Sequence, residues 1–164
     1  MPQGARWLDD DEQAAWQTYR RMARQVEASL ARALVRDAGL SMQDYDVLSS
    51  LTDSAPTDVA LTGTAEHRVC LKDLAADLTW SPSRLSHHLD RMQARGLVRR
   101  VVCREGRGTD VEATEQGLAA VAEAAPGHVA AVRAVFVDVI SRKDLATLGR
   151  IGDAVLENLA ETEG

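Results

Sequence analysis

The sequence is poor in aromatic residues and in cysteine. Only 4% of its 164 residues are Phe, Trp or Tyr, so a core must be built mainly from Leu, Val and Ala, a composition that favours helices. Two cysteines, Cys70 and Cys103, do not suggest a disulfide framework, which makes a reducing compartment the simplest expectation. The chain length suits one domain with a single core, so we predict one domain over 1–164.

Signals for secretion or membrane insertion are also lacking. The first 13 residues are polar, whereas a signal peptide needs a basic start followed by an apolar run. The most apolar stretch, 129–140, is interrupted by Arg133 and Asp138 and is too short and too charged to span a bilayer. We therefore expect a cytoplasmic protein without a membrane partner.

Motifs of catalysis and of metal binding are not found. The sequence has no glycine-rich phosphate loop and no nucleophile elbow. His67 and Cys70 form one close His/Cys pair, but a structural zinc site needs four ligands in paired spacing. We predict that the protein is not an enzyme, holds no metal and needs no cofactor.

The charge is distributed unevenly. The chain carries a net charge of −6, yet the segment 81–108 carries +5, which leaves −11 on the remainder. The arginines of this basic segment are Arg84, Arg91, Arg95, Arg99, Arg100, Arg104 and Arg107. A basic module in an acidic body is the electrostatic pattern of nucleic-acid binding, and a solvated charged face is the alternative.

Hydrophobic periodicity predicts a mainly helical fold with a small β-wing. An apolar stripe at steps of three and four residues indicates a helix over 11–37, and Ser41 with Asp44 forms a capping-box-like start for the next. A long helical stretch begins at a Thr114 cap and runs to about 140, with Pro126-Gly127 as a kink or break, and a last helix starts at Ser141.

The middle of the chain reads as a winged helix-turn-helix. A short helix over 71–78 and a turn at 79–80 precede a second helix, with Ser81 as N-cap and Pro82 in its first position. Two strands, 97–103 and 109–113, then form a hairpin. The second helix of such a pair enters the major groove, where its early residues reach base edges.

The predicted recognition helix has an inner and an outer face. Leu85, Leu89 and Met92 form the inner face, and His88 is expected to pack beside them. The outer face and its edge give the candidate DNA-binding residues of this helix: Ser81, Ser83, Arg84, Ser86, His87 and Arg91. Arg84 is informative because a cation in the first helical turn is disfavoured by ~0.3–1 kcal/mol, a cost that contact with phosphate or guanine would offset. An ordinary surface arginine is the alternative.

These motifs together resemble the MarR family of regulators. The run from Trp80 to His87, the exit Arg95-Gly96-Leu97-Val98, the wing 105–108 and the ending 111–117 carry the resemblance. Glu105 stands where the family usually has Asp, and Ala113 where it usually has Leu. The resemblance implies that Arg107 reaches the minor groove, supported by Glu105, and we add Arg104 to the expected DNA contacts of the wing.

The resemblance also implies a homodimer and an effector. It assigns 11–37 and 118–161 to dimerisation helices and 41–117 to the DNA-binding core, and it implies a ligand-responsive repressor on double-stranded DNA with a pseudo-palindromic operator. A small aromatic effector would bind between the two regions, where Trp16, Tyr45 and Trp80 are the aromatic candidates, although each suits a hydrophobic core as well.

Two other interpretations remain open. Cys103 lies among arginines that would favour its thiolate, so a redox- or metal-sensing winged-helix repressor is one alternative. A helical protein-interaction module that does not bind DNA is the other. The basic segment argues against it, because a protein-only adaptor has no need of that charge.

Overall fold

The computed structural model describes residues 6–53, 68–103 and 108–163. Its elements are α1 (Asp10–Ala38), α2 (Met42–Asp53), β1 (Arg68–Cys70), α3 (Leu71–Asp77), α4 (Pro82–Ala94), β2 (Val98–Val102), β3 (Thr109–Ala113), α5 (Glu115–Val135), a 3-10 turn (Val137–Val139) and α6 (Arg142–Glu163). The fold class is confirmed: helices dominate and carry one small sheet. The segment 54–66, whose Pro56, Gly63 and scattered threonines predict a long loop, lies outside the described residues.

Side-chain caps stand at the start of several helices. Ser41 and Asp44 form the predicted capping box of α2, each side chain accepting a 3.0 Å hydrogen bond from the backbone N–H of the other. Thr114 Oγ1 accepts from the N–H of Gly117 at 3.0 Å, and Ser141 Oγ accepts from the N–H of Asp144 at 3.1 Å. The caps explain why the helix starts were readable from sequence.

Of the kink or break predicted at Pro126-Gly127, the break is wrong. Helix α5 continues through Pro126 and ends at Val135, where the 3-10 turn follows. A proline removes only one backbone hydrogen bond, and the alanines on both sides of this pair are strong helix formers. Among the described residues, Glu115–Val139 is long and apolar enough to cross a membrane by length and composition alone, contrary to the expectation from 129–140. The core helix of a soluble protein passes the same test.

The three strands form one antiparallel sheet in the order β1-β3-β2. Val111 in β3 lies opposite Val69 of β1 and Arg100 of β2. The predicted hairpin is confirmed, and β1 adds a third strand on the other side of β3. The hairpin places Arg99 and Arg100 in β2, directly after the recognition helix.

The chain divides into two compact units. Of the residues that the structure describes, all the buried ones lie in the unit over 31–128: Leu34, Leu40, Asp44, Val47, Leu48, Leu51, Leu74, Ala75, Leu85, His88, Leu89, Met92, Leu97, Val98, Asp110, Val111, Ala113, Gly117, Val121 and Ala124. It extends beyond the predicted core of 41–117, because Leu34 of α1 and Val121 and Ala124 of α5 belong to it.

The terminal unit, 1–30 and 129–164, has a different character. None of its described residues is buried. Several of its large apolar side chains are exposed: Trp7, Leu8, Trp16, Tyr19, Met22, Val129, Val139, Ile151, Val155, Leu156 and Leu159. Exposed apolar side chains in this number are typical of a surface that binds a partner.

One glycine allows the sheet and α5 to approach closely. Gly117 lies in the first turn of α5. A Cβ at this residue would lie 2.0 Å from the backbone oxygen of Leu97, just before β2. That oxygen accepts a 3.1 Å hydrogen bond from the N–H of Thr114, so it cannot move without disturbing the cap of the helix.

We predict that Gly117→Ala destabilises the protein by ~1–3 kcal/mol, because the added methyl group forces the backbone apart. Gly127→Ala is the matched control, since a Cβ there meets no atom within 4 Å and alanine is the better helix former by ~0.5–1 kcal/mol. Urea unfolding of both variants gives the comparison. Equal stability of the two variants would contradict this close approach.

Candidate nucleic-acid interface

The recognition helix begins as the sequence predicts. Ser81 is the N-cap of α4 and accepts a 3.3 Å hydrogen bond from the N–H of Arg84, while Pro82 occupies the first turn. Leu85, His88, Leu89 and Met92 are buried on its inner side. The predicted outer residues Ser83, Arg84, His87 and Arg91 are exposed, and so is Asp90. Their exposure agrees with the predicted face, and their contact with DNA stays a prediction.

Arg100 of β2 fastens the strand to this helix. Its Nη1 lies 2.7 Å from Asp90 Oδ1, and its Nη2 donates to the carbonyl oxygen of Ser86 at 2.8 Å and to Ser86 Oγ at 3.2 Å. Ser86 was predicted as a DNA contact and is half-buried, with its hydroxyl already engaged by Arg100. From the sequence Arg100 could be recognised as part of the basic segment, but its contacts with Ser86 and Asp90 appear only in the folded chain.

The basic segment is less cationic than its formal charge suggests. Arg99 makes two contacts with the carboxylate of Glu112, at 3.0 and 2.8 Å, and Arg95 Nη1 lies 2.7 Å from Asp44 Oδ2. Both acids lie outside the segment 81–108, so counting charge by sequence window overlooked them. Three of the five described arginines of the segment therefore bind carboxylates of the protein itself.

The other two described arginines contact rings. The guanidinium of Arg84 lies 4.4 Å from the centre of the Trp80 ring, a cation–π contact. Trp80 in turn meets the His88 ring edge-on, with 5.5 Å between centroids. The contact with Trp80 stabilises Arg84 in the first turn and so offers a local reason for its position, beside the predicted contact with DNA.

Asp44 is the buried charge of this region. Only 3% of the residue is exposed, and its Oδ2 accepts hydrogen bonds from Arg95 and from the backbone N–H of Ser41. Burial raises the pKa of the Asp44 carboxyl, but the hydrogen bonds from Arg95 and Ser41 outweigh burial and leave the pKa below its usual value. Asp44 is therefore ionised at neutral pH.

His88 lies between Asp44 and Arg91. Its Nδ1 is 3.0 Å from Arg91 Nη2, and because a guanidinium only donates, Nδ1 must accept and the ring proton must lie on Nε2. That Nε2 is 3.1 Å from Asp44 Oδ1, at ion-pair distance but without hydrogen-bond geometry, so the contact is electrostatic. Burial lowers the pKa of His88 and Arg91 lowers it further, against the opposing effect of Asp44.

These side chains surround an open cavity of about 510 Å³ beside α4. Its lining residues are Ser41, Gln43, Asp44, Trp80, Arg84, His88, Arg91 and Arg95. The cavity combines an aromatic ring with three guanidinium groups, one of which is paired with a carboxylate. Such a surface attracts anions, and phosphate is the anion that DNA presents.

The remaining predicted site residues are dispersed. Arg104, Glu105 and Arg107 of the wing tip lie outside the described residues, as does His67. Trp16 belongs to the terminal unit, where it is half exposed and stacks on Tyr19 at 5.7 Å. Tyr45 packs against the core with its ring 4.5 Å from that of His128, and Trp80 also packs against the core.

Neither thiol of Cys70 and Cys103 forms a disulfide, and both residues are partly exposed. Among the described residues no group of three or more His, Cys, Asp or Glu side chains is arranged to hold a metal ion.

We predict that the free energy of unfolding falls as the pH drops below 6.5, the ordinary pKa of histidine. The folded-state pKa of His88 is lower than this, so the unfolded chain binds the proton more readily and acid favours unfolding. Asp44 adds a second loss below its ordinary pKa of 3.8 for the same reason. Urea titrations between pH 5 and 7.5 give the free energy of unfolding at each pH. For His88→Gln this free energy should change less with pH than for the wild type, while the control His87→Gln, on the exposed side of α4, should follow the wild type.

Comparisons with known proteins agree with this geometry. The sequence profile of the bacterial regulatory proteins of the arsR family matches residues 65–100, and the comparison with curated proteins gave no match. The crystal structure of AbsC from Streptomyces coelicolor, a MarR family transcriptional regulator, has 35% sequence identity and a TM-score of 0.84, with 96% of this chain and 99% of AbsC covered.

Two further structures extend the comparison. Sco3205 from Streptomyces coelicolor, a MarR family transcriptional regulator crystallised in complex with DNA, has 33% identity and a TM-score of 0.84 over 96% of this chain and 92% of that one. CouR from Rhodococcus jostii RHA1, bound to p-coumaroyl-CoA, shares the fold at 23% identity and a TM-score of 0.70, with 92% and 95% covered. On its winged helix-turn-helix and its likeness to AbsC and Sco3205, this chain belongs to the MarR family of transcriptional regulators.

Proposed function

We propose that the protein binds a pseudo-palindromic DNA operator as a homodimer in the cytoplasm and represses transcription until a small aromatic effector releases it. The observation that carries the proposal is the exposed face of α4, where polar and basic side chains stand opposite a fully buried apolar face. The DNA complex of Sco3205, one third identical over nearly the whole chain, supports the same use of the fold here.

The outer face of α4 supplies direct base readout. His87 and Arg91 lie one turn apart on it, and both are exposed. Arginine matches the acceptors of guanine in the major groove, and the first-turn residues Ser81, Ser83 and Arg84 suit phosphate contact at the start of the helix. From the wing, Arg104 and Arg107 are proposed to contact DNA, with Arg107 in the minor groove supported by Glu105.

The rigid support of α4 favours specific rather than purely electrostatic binding. Arg100 holds its middle through Ser86 and Asp90, and Arg95 holds its C-terminal end through Asp44. A helix fixed at several points loses little freedom on binding, which leaves more of the contact energy for discrimination between bases.

The terminal unit is proposed to form the dimer. It has large exposed apolar side chains and no buried residue among those described, so it lacks a core of its own. A second copy of the chain is the partner that a two-fold operator requires. Symmetric pairing would cover residues such as Ile151 and Val155, which stand half exposed on α6.

Repression and effector release remain parts of the proposal. An effector that binds more tightly to the DNA-incompetent arrangement of the dimer shifts the population and releases the operator. Trp16, Tyr45 and Trp80 stay the aromatic candidates for its contact.

The rival sensing mechanism is separable from ligand response. Cys70→Ser and Cys103→Ser are expected to leave DNA binding and ligand response intact. If peroxide releases DNA from the wild type and not from one of these variants, thiol sensing replaces the effector proposal, and metal analysis of the pure protein tests the metal alternative.

We predict that His87→Ala and Arg91→Ala each weaken binding to the selected operator by ~1–3 kcal/mol and relax preference at one base position. Arg107→Ala should instead weaken binding to many sequences and reduce the salt dependence of affinity by about one phosphate equivalent. Fluorescence anisotropy with an operator selected from a random duplex library, and with its scrambled counterpart, measures both effects at several salt concentrations.

Arg99→Ala is the matched control for this experiment. It removes the same charge from the same basic segment, but Arg99 is paired with Glu112 on the sheet, so its loss should change affinity much less. If Arg99→Ala and Arg91→Ala weaken binding equally, charge alone and not the face of α4 governs recognition.

We predict a dimer of two 17.8 kDa chains at micromolar concentration and its dissociation in the double variant Ile151→Glu/Val155→Glu. Two carboxylates in an apolar interface would remain unpaired, which strongly disfavours association. Val102→Glu, at an exposed apolar residue of β2 outside the terminal unit, is the control. Sedimentation of the wild type as a monomer would overturn the proposed dimer.

A further inference from the structure

The contact between His88 and Arg91 joins a buried side chain to an exposed one, which the proposed contact with DNA does not require. Arg91 is exposed on the outer face of α4, yet one of its terminal nitrogens is held by a histidine that is 8% exposed. The two residues are one turn apart, so the helix itself brings them together. The exposed side chain of Arg91 is thereby restrained by a hydrogen bond to the buried ring of His88.

The hydrogen bond between His88 and Arg91 depends on the protonation state of the imidazole. Neutral His88 can accept from Arg91 at Nδ1 while its Nε2–H faces Asp44 Oδ1 at 3.1 Å. A protonated imidazole has two donors and no acceptor, so its Nδ1–H would meet the N–H groups of Arg91 at the same place. The contact would change from a hydrogen bond to a repulsion between two cations.

We propose that His88 is a positioning residue of the DNA-binding surface, which in its neutral form holds Arg91 in place for base recognition and on protonation releases it. This inference rests on the proposed function, because it assigns to Arg91 a contact with the operator. Arg91 remains a cation in both states. Protonation therefore removes its fixed position without removing its attraction to phosphate, and preference for the operator falls while affinity for unrelated DNA does not.

Of the groups around His88, Arg91 is the one that protonation of the ring is expected to displace. Asp44 of α2 faces one side of the ring, and Arg91 and Arg95 of α4 are the cations that act on it. Arg84 lines the same cavity but is stacked on Trp80. Asp44 is held by Arg95 and the backbone of Ser41, and Trp80 packs against the core, so Arg91 is the neighbour with freedom to move.

The test compares the selected operator with a scrambled duplex of the same composition between pH 8 and pH 5. It uses the full chain carrying His87→Gln, so that His88 is the histidine left in α4, and an operator selected with that chain at pH 8, so that the loss of the His87 contact is common to every arm. We expect the ratio of the two affinities to fall by about tenfold towards pH 5. The double variant His87→Gln/His88→Gln should lose this pH dependence, because an amide presents an acceptor and a donor at every pH.

Two variants give the matched controls. His87→Gln/Arg91→Ala should show the low ratio at every pH, since the side chain to be positioned is gone. His87→Gln/His128→Gln removes a histidine of α5 outside the proposed interface and should keep the pH dependence. Far-UV circular dichroism at pH 5 establishes that each variant is folded. A pH dependence that persists in His87→Gln/His88→Gln overturns the inference and leaves the proposed function intact.

A measurement without DNA tests the protonation of His88 separately from the proposed binding to the operator. ¹⁵N NMR of the imidazole nitrogens of the wild type should show His88 as the Nε2–H tautomer at pH 8. An Nδ1–H tautomer would overturn the inference, because Arg91 would have no acceptor. If no duplex is selected at pH 8, the proposed function fails, and the role assigned to His88 at DNA fails with it.

Discussion

The buried carboxylate of Asp44 is the constraint that organises the DNA-binding surface. An ionised group that is almost wholly removed from water is costly unless it is paired and hydrogen-bonded. Asp44 meets this requirement with the N–H of Ser41 at its own helix start and with Arg95, which lies 51 residues further along the chain. Any shift of α4 relative to α2 would break the second contact, so satisfaction of this single charge defines where the end of the recognition helix lies.

The rest of α4 is held by contacts of other kinds. Its start is fixed by the Ser81 cap and its middle by Arg100, while Leu85, Leu89 and Met92 anchor the inner face in the core. Rigid elements with supported side chains are the arrangement that specific binding sites need. The structure thus presents its outer residues on a helix whose backbone is determined by groups that themselves need not touch DNA.

The sequence predicted what depends on neighbouring residues. Caps at Ser41, Ser81 and Thr114, the apolar faces of the helices and the β2–β3 hairpin follow from local rules, and the structure confirms them. The break offered at Pro126 was wrong because a single strong breaker was weighed above the helix-forming alanines around it. The helical preference of the surrounding residues outweighs the proline, and α5 continues through it.

Partners distant in sequence could not be predicted in the same way. The pairs Arg95–Asp44 and Arg99–Glu112 join the basic segment to acids outside it, and only the folded chain shows that they meet. His88 was expected simply to pack, because periodicity reports that a residue faces inwards and says nothing of the polar groups that it will find there. A charge count along a sequence window therefore overstates how many of its arginines are available for recognition.

This division of labour among the arginines has a consequence for specificity. Arg95, Arg99 and Arg100 are committed to carboxylates of the protein, and Arg84 is stacked on Trp80, so the described part of α4 offers one arginine, Arg91, whose only described partner is a neutral imidazole. Carboxylate pairs persist over the whole physiological pH range, since both partners stay ionised. The contact of Arg91 with His88 is the one whose chemistry changes in mild acid, because burial lowers the pKa of His88 below the ordinary value of 6.5 and a histidine titrates nearest to the physiological range. Among the described arginines of the basic segment, the one with the most adjustable partner is therefore also the one that we propose contacts a base.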